Sequence, residues 1–500
     1  MKYIYATKEG MVNNDWGQQV LDAGTQNPTA RGYYRINTLN SYFGRAFYSF
    51  DNRYMVTANI RWDGSSRFAD GNRWGFFPSV SGGWNFSEES FVKSFAENWL
   101  SQGKLRVGWG EIGNQTIADG AYLNTFGNSY YYLFGNNNTQ LTGYRTQVGN
   151  PDLKWETTRQ LDLGLDLAFL QGSLRFTFDY FNRDTKDMLV KVPVPSGLGF
   201  PNTPWVNAGS ISNKGFEVAI GYDGKAKDFT YHINANVSTY KNKVKDLGSS
   251  GNIPGKDVHL GYYNYTMTEA GKPIGYYYGY KMDGVFQTQE EIDNYKNNGK
   301  VVMPNAKPGD LKFVDQNKDG KLDDEDRGMI GNPHPDFTFG ITLGAEYKGF
   351  DFSAFFQGSV GNDLLNILKY DIYGGVGWYN APKDILTTFW NGPGSTNENF
   401  AIDADSRLNR EMSDWFVEDG SYVRLKNLQV GYTIPSSITK KITINNLRVF
   451  VAAQNLFTIT GYSGLDPEIG EFNQNPIYRG VDMGYYPQPR TFMFGISMKL

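Results

Sequence analysis

Residues 161–180, LDLGLDLAFLQGSLRFTFDY, decide the fold. Apolar and polar residues alternate from Leu161 to Phe169, and the alternation resumes from Leu174 to Tyr180. Because successive side chains of a strand point to opposite faces, each of these two strands has one apolar face and one polar face. Long antiparallel strands of this kind favour a transmembrane β-barrel, in which lipid surrounds the apolar face and the polar face lines the lumen.

Thirteen segments of the chain fit this strand pattern. They are residues 38–50, 53–64, 74–87, 103–112, 155–170, 173–188, 212–223, 228–243, 336–347, 350–362, 422–435, 445–460 and 489–500. Between Leu425 and Leu428 the alternation slips by one residue, which predicts a β-bulge. We therefore predict an all-β fold built as an antiparallel transmembrane β-barrel.

The connections between these segments are alternately short and long. Outer-membrane barrels have short periplasmic turns and long extracellular loops, so the long set is assigned to the cell exterior. These predicted loops are residues 113–154, 189–211, 244–335, 363–421 and 461–488. Two short helices are predicted inside them: one follows the capping box of Thr288 and Glu291 through about Asn297, and the other spans residues 382–391.

The strand pattern also predicts which side chains meet lipid. The side chains predicted to point outward are Leu163, Leu165, Phe176, Phe178, Ile220, Ile341, Phe494 and Ile496. Those predicted to point into the lumen are Asp162, Asp166, Arg175, Glu217 and Asn234. A charged residue placed on the outward set would destabilise the barrel, whereas the inward set tolerates charge.

The composition narrows the functional classes. The 500 residues carry a formal charge of −4, whereas a nucleic-acid-binding protein usually has a basic excess, so no nucleic-acid partner is expected. Cysteine is absent, which excludes a disulfide scaffold and a thiol nucleophile. No apolar run approaches the roughly 18 residues of a membrane helix. The aromatic content of 16% fits the girdles of a barrel, although composition alone also allows a soluble β-sandwich or propeller.

Several longer motifs occur in a fixed order along the chain. They are LRVGWGEIGN at 105–114, NPDLKWE at 150–156, NRDTKDML at 182–189, NAGSISNKGFE at 207–217, NLFTIT at 455–460 and LDPE at 465–468. Together with the strand pattern, this ordered set resembles the SusC/RagA family of TonB-linked outer-membrane transporters from about residue 40 to the end.

The resemblance implies that residues 1–500 are the C-terminal part of a larger barrel of about 22 strands. The family's signal peptide, TonB box and plug have no counterpart in this sequence. The implied setting is the outer membrane of a Gram-negative bacterium, and the implied activity is uptake of bulky nutrients, most often oligosaccharides and sometimes peptides. The implied partners are a SusD-like surface lipoprotein as lid, the TonB complex acting through the missing N-terminal part, and outer-membrane lipid.

The sharpest local motif is DQNKDGKLDDED at residues 315–326, within the predicted loop 244–335. Oxygen ligands at positions 1, 3, 5, 7, 9 and 12, with Gly at position 6, follow an EF-hand-like calcium loop. The predicted ligands are Asp315, Asn317, Asp319, Lys321 through its backbone carbonyl, Asp323 and Asp326. We predict one structural Ca²⁺ here; the alternative is an acidic, solvated turn.

A second candidate site is an aromatic run in the loop 113–154. Flat rings suit the CH-rich faces of sugars and an amide suits their hydroxyls, so these residues are candidates for substrate binding. They are Tyr130, Tyr131, Tyr132 and Asn136. Ordinary loop packing or an interfacial aromatic belt is the alternative.

Catalysis has little support in the sequence. The three histidines, His232, His259 and His334, have no partner at metal-ligand spacing, and no nucleophile elbow is present. We therefore expect a transporter rather than an enzyme. The alternatives are a siderophore or haem receptor of the wider TonB-dependent class and an outer-membrane barrel enzyme.

Overall fold

The chain folds around one antiparallel sheet of thirteen strands, which we call the wall. The computed structural model describes residues 2–10, 20–34, 36–96, 98–127, 130–134, 137–141, 144–191, 204–248, 251–256, 264–374, 380–402, 408–439, 443–472 and 475–499. The wall strands are β1 (Leu39–Phe50), β2 (Tyr54–Ser65), β3 (Trp74–Trp84), β4 (Leu100–Asn114), β5 (Glu156–Phe169), β6 (Leu174–Lys186), β7 (Ser210–Ala226), β8 (Phe229–Asp246), β9 (Phe337–Tyr347), β10 (Phe350–Val360), β11 (Tyr422–Ile434), β12 (Asn446–Thr460) and β13 (Thr491–Lys499).

Each wall strand pairs with the next wall strand along the chain. All thirteen predicted strands are confirmed, with ends that differ by a few residues. The predicted bulge is also present: Phe355 and Phe356 of β10 lie opposite Asn427 and Leu425 of β11, so Lys426 is the extra residue. Within the described residues, β1 and β13 are the two edges of the wall, as expected for one part of a larger barrel.

The register of the wall keeps apolar side chains on one face. Leu165 of β5 lies opposite both Leu105 of β4 and Phe178 of β6. Phe178 in turn lies opposite Val218 of β7, which pairs with Val237 of β8. The eight residues predicted to point outward share this face, and the five predicted to point inward share the other. Because a one-residue slip would reverse every strand, this row of matched apolar pairs fixes the register.

The connections alternate between the two ends of the wall, as predicted. At the short-loop end, β5 is joined to β6 by residues 170–173 and β9 to β10 by residues 348–349. Lys348 and Gly349 form the latter turn with φ of 47° and 89°, the left-handed backbone that a two-residue hairpin requires. The connections at the long-loop end are residues 66–73, 115–155, 187–209, 247–336, 361–421 and 461–490.

The described parts of three long connections fold together into one packed unit, which we call the loop body (the described residues within 247–336, 361–421 and 461–490). Its hydrophobic core draws on all three connections. Leu365 of the second connection pairs with Val417 of the same connection and with Val481 of the third. Phe313 and Phe416 are 0% exposed in this core. The loop body is therefore a small domain seated on the wall rather than a set of separate loops.

Short elements complete the fold. The helices are Ser90–Ala96, Gln289–Asn294, Ile367–Lys369, Ile385–Thr388 and Ser436–Thr439. The remaining strands include the hairpin Lys2–Glu9 with Gln26–Tyr34, the pair Leu189–Lys191 with Trp205–Asn207, the four-stranded sheet of Ile253–Lys256, Asn264–Thr268, Tyr276–Gly279 and Gly328–Gly331, and the group Asp363–Asn366, Val417–Asp419 and Val481–Asp482.

Both predicted loop helices exist, but each is shorter than expected. Thr288 caps the first, accepting a hydrogen bond from the backbone N–H of Glu291, and the helix ends at Asn294. The second covers only Ile385–Thr388, although residues 382–391 were expected. None of the helices in the described part of the chain is long and apolar enough to cross a membrane.

Candidate functional site: the lumen face and its mouth

On the polar face of the wall, ion pairs join side chains of different strands. Arg106 of β4 lies 2.7 Å from Asp166 of β5 and 2.9 Å from Asp179 of β6. Its guanidinium reaches β6 over Gly164, where a Cβ would approach Arg106 Cζ to 2.5 Å. Glycine at this position therefore lets one arginine join three strands.

The same arrangement occurs near the other edge of the wall. Arg448 of β12 lies 2.5 Å from Asp351 of β10. Gly431 of β11 lies between them, and a Cβ there would come within 2.4 Å of Asp351 Oδ2. Charged side chains that pair across strands are suited to a hydrated lumen and not to lipid.

A cavity of about 720 Å³ lies at the long-loop end of this polar face, and we call it the mouth cavity. Its walls are the ends of β4 to β8, residues 188–191, and the loop-body residues Leu247, Ile253, Ile274, 471, 475–477 and 479. The volume is in the range of ligand-binding pockets. Its polar and aromatic lining includes Asn114, Trp205, Asn213, Tyr240, His334 and Arg479.

A buried histidine joins the loop body to the wall beside this cavity. Nε2 of His334 lies 3.1 Å from the carbonyl oxygen of Ile274, so it carries the hydrogen and donates it. Nδ1 is then the acceptor and receives the Tyr240 hydroxyl at 3.2 Å. Burial lowers the pKa of His334 to about 4, and the nearby positive charge of Arg479 contributes in the same direction. His334 is therefore neutral at physiological pH.

The remaining charged groups of the mouth cavity differ in whether they have a hydrogen-bond or ion-pair partner. The carboxylate of Glu156 accepts hydrogen bonds from Asn114 Nδ2 at 3.0 Å and from the Leu189 backbone N–H at 2.9 Å. Lys191 Nζ lies 5.3 Å from the centre of the Trp205 ring. Arg479, which is half-buried, has no ion pair or hydrogen bond from its guanidinium to any residue that the structure describes.

A buried ion cluster ties the LDPE segment to the wall. Arg424 of β11, only 3% exposed, lies 2.5 Å from Asp466 and 2.7 Å from Glu468. Lys426, the bulge residue, also contacts Glu468 at 2.7 Å. Burial raises the pKa of Asp466, but hydrogen bonds from the Gln488 N–H and from Arg424 outweigh it, so its pKa lies below its usual value. The bulge thus places two cations where the loop body can attach.

The predicted calcium loop has the expected backbone, but its carboxylates do not converge. Oδ2 of Asp315 accepts the Gly320 N–H at 2.9 Å, and Gly320 has the positive φ, 85°, that position 6 requires. The Asp319 N–H donates to Asn317 Oδ1 at 3.0 Å, and Lys321 Nζ contacts Asp323. No three acidic or histidine side chains in the described residues are grouped so as to hold a metal ion.

Two atoms of this loop bear on whether a cation fits. Oδ1 of Asp315, a residue that is 3% exposed, is buried without a hydrogen-bond partner. Asp326 is fully buried and accepts the backbone N–H groups of Gln316 at 2.8 Å and Asp323 at 2.9 Å. Burial raises the pKa of Asp315, yet hydrogen bonds from Asn297 and the loop backbone bring it below its usual value. The loop therefore presents ionised oxygens, one of them unsatisfied.

The predicted aromatic substrate site falls largely outside the described part of the chain. Tyr130, Tyr131 and Tyr132 lie in the short strand Tyr130–Phe134, but their side chains are outside the described part of the chain. Asn136 is outside the described residues altogether.

His334 and Arg479 of the mouth cavity could not be found from the sequence, because a lone histidine or arginine in a long loop has no motif around it.

Comparison with known proteins identifies the fold. The model of the TonB-dependent receptor-like β-barrel family matches residues 6–456. TonB-dependent receptor P3 of Formosa agariphila is 35% identical to this chain in an alignment of 503 positions, which covers 99% of this chain and 49% of P3. TonB-dependent receptor SusC of Bacteroides thetaiotaomicron is 33% identical in an alignment of 512 positions, which covers 98% of this chain and 46% of SusC.

A solved structure gives the same answer for the fold. The RagAB peptide transporter superposes with a TM-score of 0.78 at 24% identity, covering 97% of this chain and 50% of that chain. The chain thus spans about half the length of the curated relatives that it matches. This protein belongs to the TonB-dependent receptor β-barrel family, in its SusC/RagA branch, whose members lie in the outer membrane of Gram-negative bacteria.

Proposed function

We propose that this chain is the C-terminal barrel part of an active outer-membrane importer of oligosaccharides or peptides. Its role is to line the passage and to hold binding groups at the mouth, without covalent chemistry. The TonB complex would supply the energy through the N-terminal part of the protein. The observation that carries the proposal is the mouth cavity, a ligand-sized space at the long-loop end of a polar, ion-paired lumen face.

Growth and uptake test this proposal directly. Deletion of the complete gene should abolish growth on one member of a panel of oligosaccharides and peptides supplied as sole carbon source, and deletion of TonB should have the same effect. In the restored full-length protein, Asn213→Trp fills the mouth cavity and should slow uptake. Phe216→Trp, on the outer face of the same strand, should not. Unchanged growth on every nutrient after gene deletion would refute the proposal.

The proposed topology puts the loop body outside the cell and the short turns in the periplasm. Exposed apolar side chains on the loop body, with Leu386 at 81% and Tyr486 at 89% exposed, support a docking surface there for a SusD-like lid lipoprotein. Because the chain has no cysteine, single cysteines can report topology. In intact cells that lack the lid lipoprotein, an impermeant maleimide should label Leu386→Cys and should not label Lys348→Cys until the outer membrane is opened.

We also propose that residues 315–326 bind one Ca²⁺ with a structural role. The unsatisfied oxygen of Asp315 and the loop backbone support this, and the side chains of Asn317, Asp319 and Asp323, the carbonyl of Lys321 and the buried Asp326 would complete the ligands. Binding requires Lys321 to release Asp323. A bound cation would offset the repulsion among these carboxylates and fix the surface that meets the lid.

Calorimetric titration of the full-length protein with CaCl₂ tests the calcium site. One site per chain is expected, and Asp315→Ala or Asp319→Ala should abolish it and weaken lid docking while the barrel still assembles. Asp324→Ala is the matched control, since that side chain is 88% exposed and is not a predicted ligand. Equal calcium binding by Asp315→Ala and the parent protein would exclude this site.

A further inference from the structure

Arg479 is an unsatisfied cation in the wall of the mouth cavity. It is half-buried, and its guanidinium makes no ion pair or hydrogen bond with any residue in the described part of the chain. Glu471 lies opposite it in an isolated antiparallel bridge, but Glu471 is exposed and the two charged groups do not pair. A partly desolvated guanidinium without a partner costs free energy, which a bound anion would recover.

The backbone beneath Arg479 is held firmly. The hydroxyl of Tyr277, which is 0% exposed, lies 3.1 Å from the carbonyl oxygen of Arg479 and 3.1 Å from that of Asp363. Residues 479 and 480 are thus anchored to the core of the loop body, where Leu365 also bonds to the Gly480 carbonyl at 3.0 Å. Because the anchor is the main chain, the side chain remains available to a ligand.

The charges around Arg479 favour an anion. His334 of the loop body is kept neutral by burial and by the charge of Arg479, which both lower its pKa, and its Nδ1 accepts the Tyr240 hydroxyl. Glu156 is already satisfied by two donors, and Lys191 adds a second positive charge to the cavity. Lys191 and Arg479 are thus the two cations of the cavity that have no carboxylate partner within the described residues, and Arg479 is the half-buried one, whereas Lys191 and the remaining carboxylate, Glu471, are exposed.

Neutral polar groups beside Arg479 match a sugar better than a peptide. Asn242 donates from Nδ2 to Asn213 Oδ1 at 2.8 Å, which leaves the Nδ2 of Asn213 as a donor toward the cavity. The Tyr240 hydroxyl gives its hydrogen to His334, so its oxygen is left as an acceptor. Strand addition to a free sheet edge is one mode of peptide binding, and four of the five strands that line the cavity, β5 to β8, are paired on both sides.

We infer that the mouth cavity is a binding site for an acidic oligosaccharide, with Arg479 pairing a sugar carboxylate and Asn213 and Tyr240 bonding its hydroxyls. The inference rests on the proposed transport function and names the substrate class. A bidentate guanidinium–carboxylate pair supplies both affinity and orientation. Because His334 is neutral and both of its ring nitrogens are bonded, it adds no charge to the cavity, and the Tyr240 oxygen is the acceptor that faces the sugar.

Calorimetry on the full-length transporter in complex with its lid lipoprotein tests the inference. The probes are tetragalacturonate, its full methyl ester and tetraglutamate, which separate charge from sugar and sugar from peptide. We expect tetragalacturonate to bind best. Arg479→Gln should weaken it by about 10- to 100-fold, as for loss of a charge-assisted pair, and should change binding of the ester by less than about twofold. Arg479→Lys should keep part of the affinity that Arg479→Gln loses, because lysine retains the positive charge but not the paired N–H donors of the guanidinium.

Arg490→Gln is the matched control. Arg490 lies in the same connection, is exposed and does not line the mouth cavity, so its loss should leave tetragalacturonate binding unchanged. The inference is overturned if tetragalacturonate does not bind, if its methyl ester binds equally well, or if tetraglutamate binds better. It is also overturned if Arg479→Gln and Arg490→Gln lose affinity for tetragalacturonate equally. Failure of the transport proposal is recognised separately, by unchanged growth after deletion of the whole gene.

Discussion

Large apolar side chains are exposed on the wall, whereas in the loop body they are buried. Phe76 and Phe494 on the apolar face of the wall are 56% and 70% exposed, whereas Phe313 and Phe416 in the loop body are 0% exposed. The first arrangement is stable only where lipid replaces water around the sheet, and the second is the ordinary core of a water-soluble domain. One chain is therefore built for two solvents, and the same kind of substitution should have different consequences in its two regions.

The two regions also differ in how they are held together. Wall strands are joined to their neighbours in sequence, with β9 and β10 separated by two residues. The loop body joins segments that are far apart, such as Leu365 with Val481 and Tyr280 with Ser413. Loss of a core residue in the loop body should therefore disrupt the contacts between the long connections, while the strand pairing of the wall is kept.

The largest expected effect is therefore in the loop body. Phe416→Ala removes a fully buried ring that packs 4.9 Å from Trp415 and 5.4 Å from Tyr370, measured between ring centres. Such a truncation costs about 3–5 kcal/mol. Hydrogen exchange should show faster opening of residues 276–285 and 413–419, while the heat-resistant mobility of the barrel in detergent gels stays unchanged. Loss of that mobility would mean that the two regions do not fold independently.

A charge on the lipid face of the wall should have the next largest effect. Leu163 lies near the middle of β5 and is 45% exposed, so Leu163→Arg should destabilise the barrel by about 2–4 kcal/mol in urea titrations in lipid vesicles. Asp162→Arg, at the adjacent residue on the polar face, should destabilise the barrel less than Leu163→Arg does. Leu465→Arg, at a 59% exposed site of the loop body, should stay within about 0.5 kcal/mol. If Asp162→Arg were the more damaging change, the faces of the wall would be reversed.

The wall could be predicted almost completely from the sequence, because its period-two alternation is local. Even the bulge at Lys426 is visible as a slip in that alternation. The loop body could not, since a core formed by residues such as Tyr277, Leu365 and Val481 has no period, and its partners are more than 80 residues apart. The left-handed turn at Gly320 was predictable from the spacing of residues 315–326, whereas the mouth cavity depends on the long-range meeting of β8 with residues 471, 475–477 and 479.

The junction between the two regions should respond to pH. Because burial lowers the pKa of His334 to about 4, below its unfolded value near 6.5, the unfolded state binds more protons between these values. Stability is then complete above about pH 6.5 and falls as the pH drops toward 4, by about 2 kcal/mol between pH 7 and pH 5. Hydrogen exchange of residues 274–280 should follow this curve.

His334→Gln removes the titrating group but keeps a side-chain amide that can donate to the Ile274 carbonyl. Its exchange rates should be nearly independent of pH between 5 and 7, after the intrinsic pH dependence of exchange is subtracted. His232, on the polar face of β8, offers the comparison within the wall, and His232→Gln should leave the pH curve of residues 274–280 as it is in the parent protein. A pH response that persists in His334→Gln would assign it to another group.

The smallest expected effect is at a turn of the wall. Lys348 precedes Gly349 in a two-residue turn and has a φ of 47°, a left-handed conformation that lysine adopts at a cost and asparagine adopts more readily. Lys348→Asn should therefore stabilise the barrel by about 0.5 kcal/mol, and Lys348→Val should destabilise it by about 1 kcal/mol, since a β-branched residue is strained there. Paired urea titrations in lipid vesicles measure both. Neither change should alter hydrogen exchange in the loop body, because the turn lies at the opposite end of the wall. An effect of Lys348→Val on residues 276–285 would show that strain passes along β9 from one region to the other.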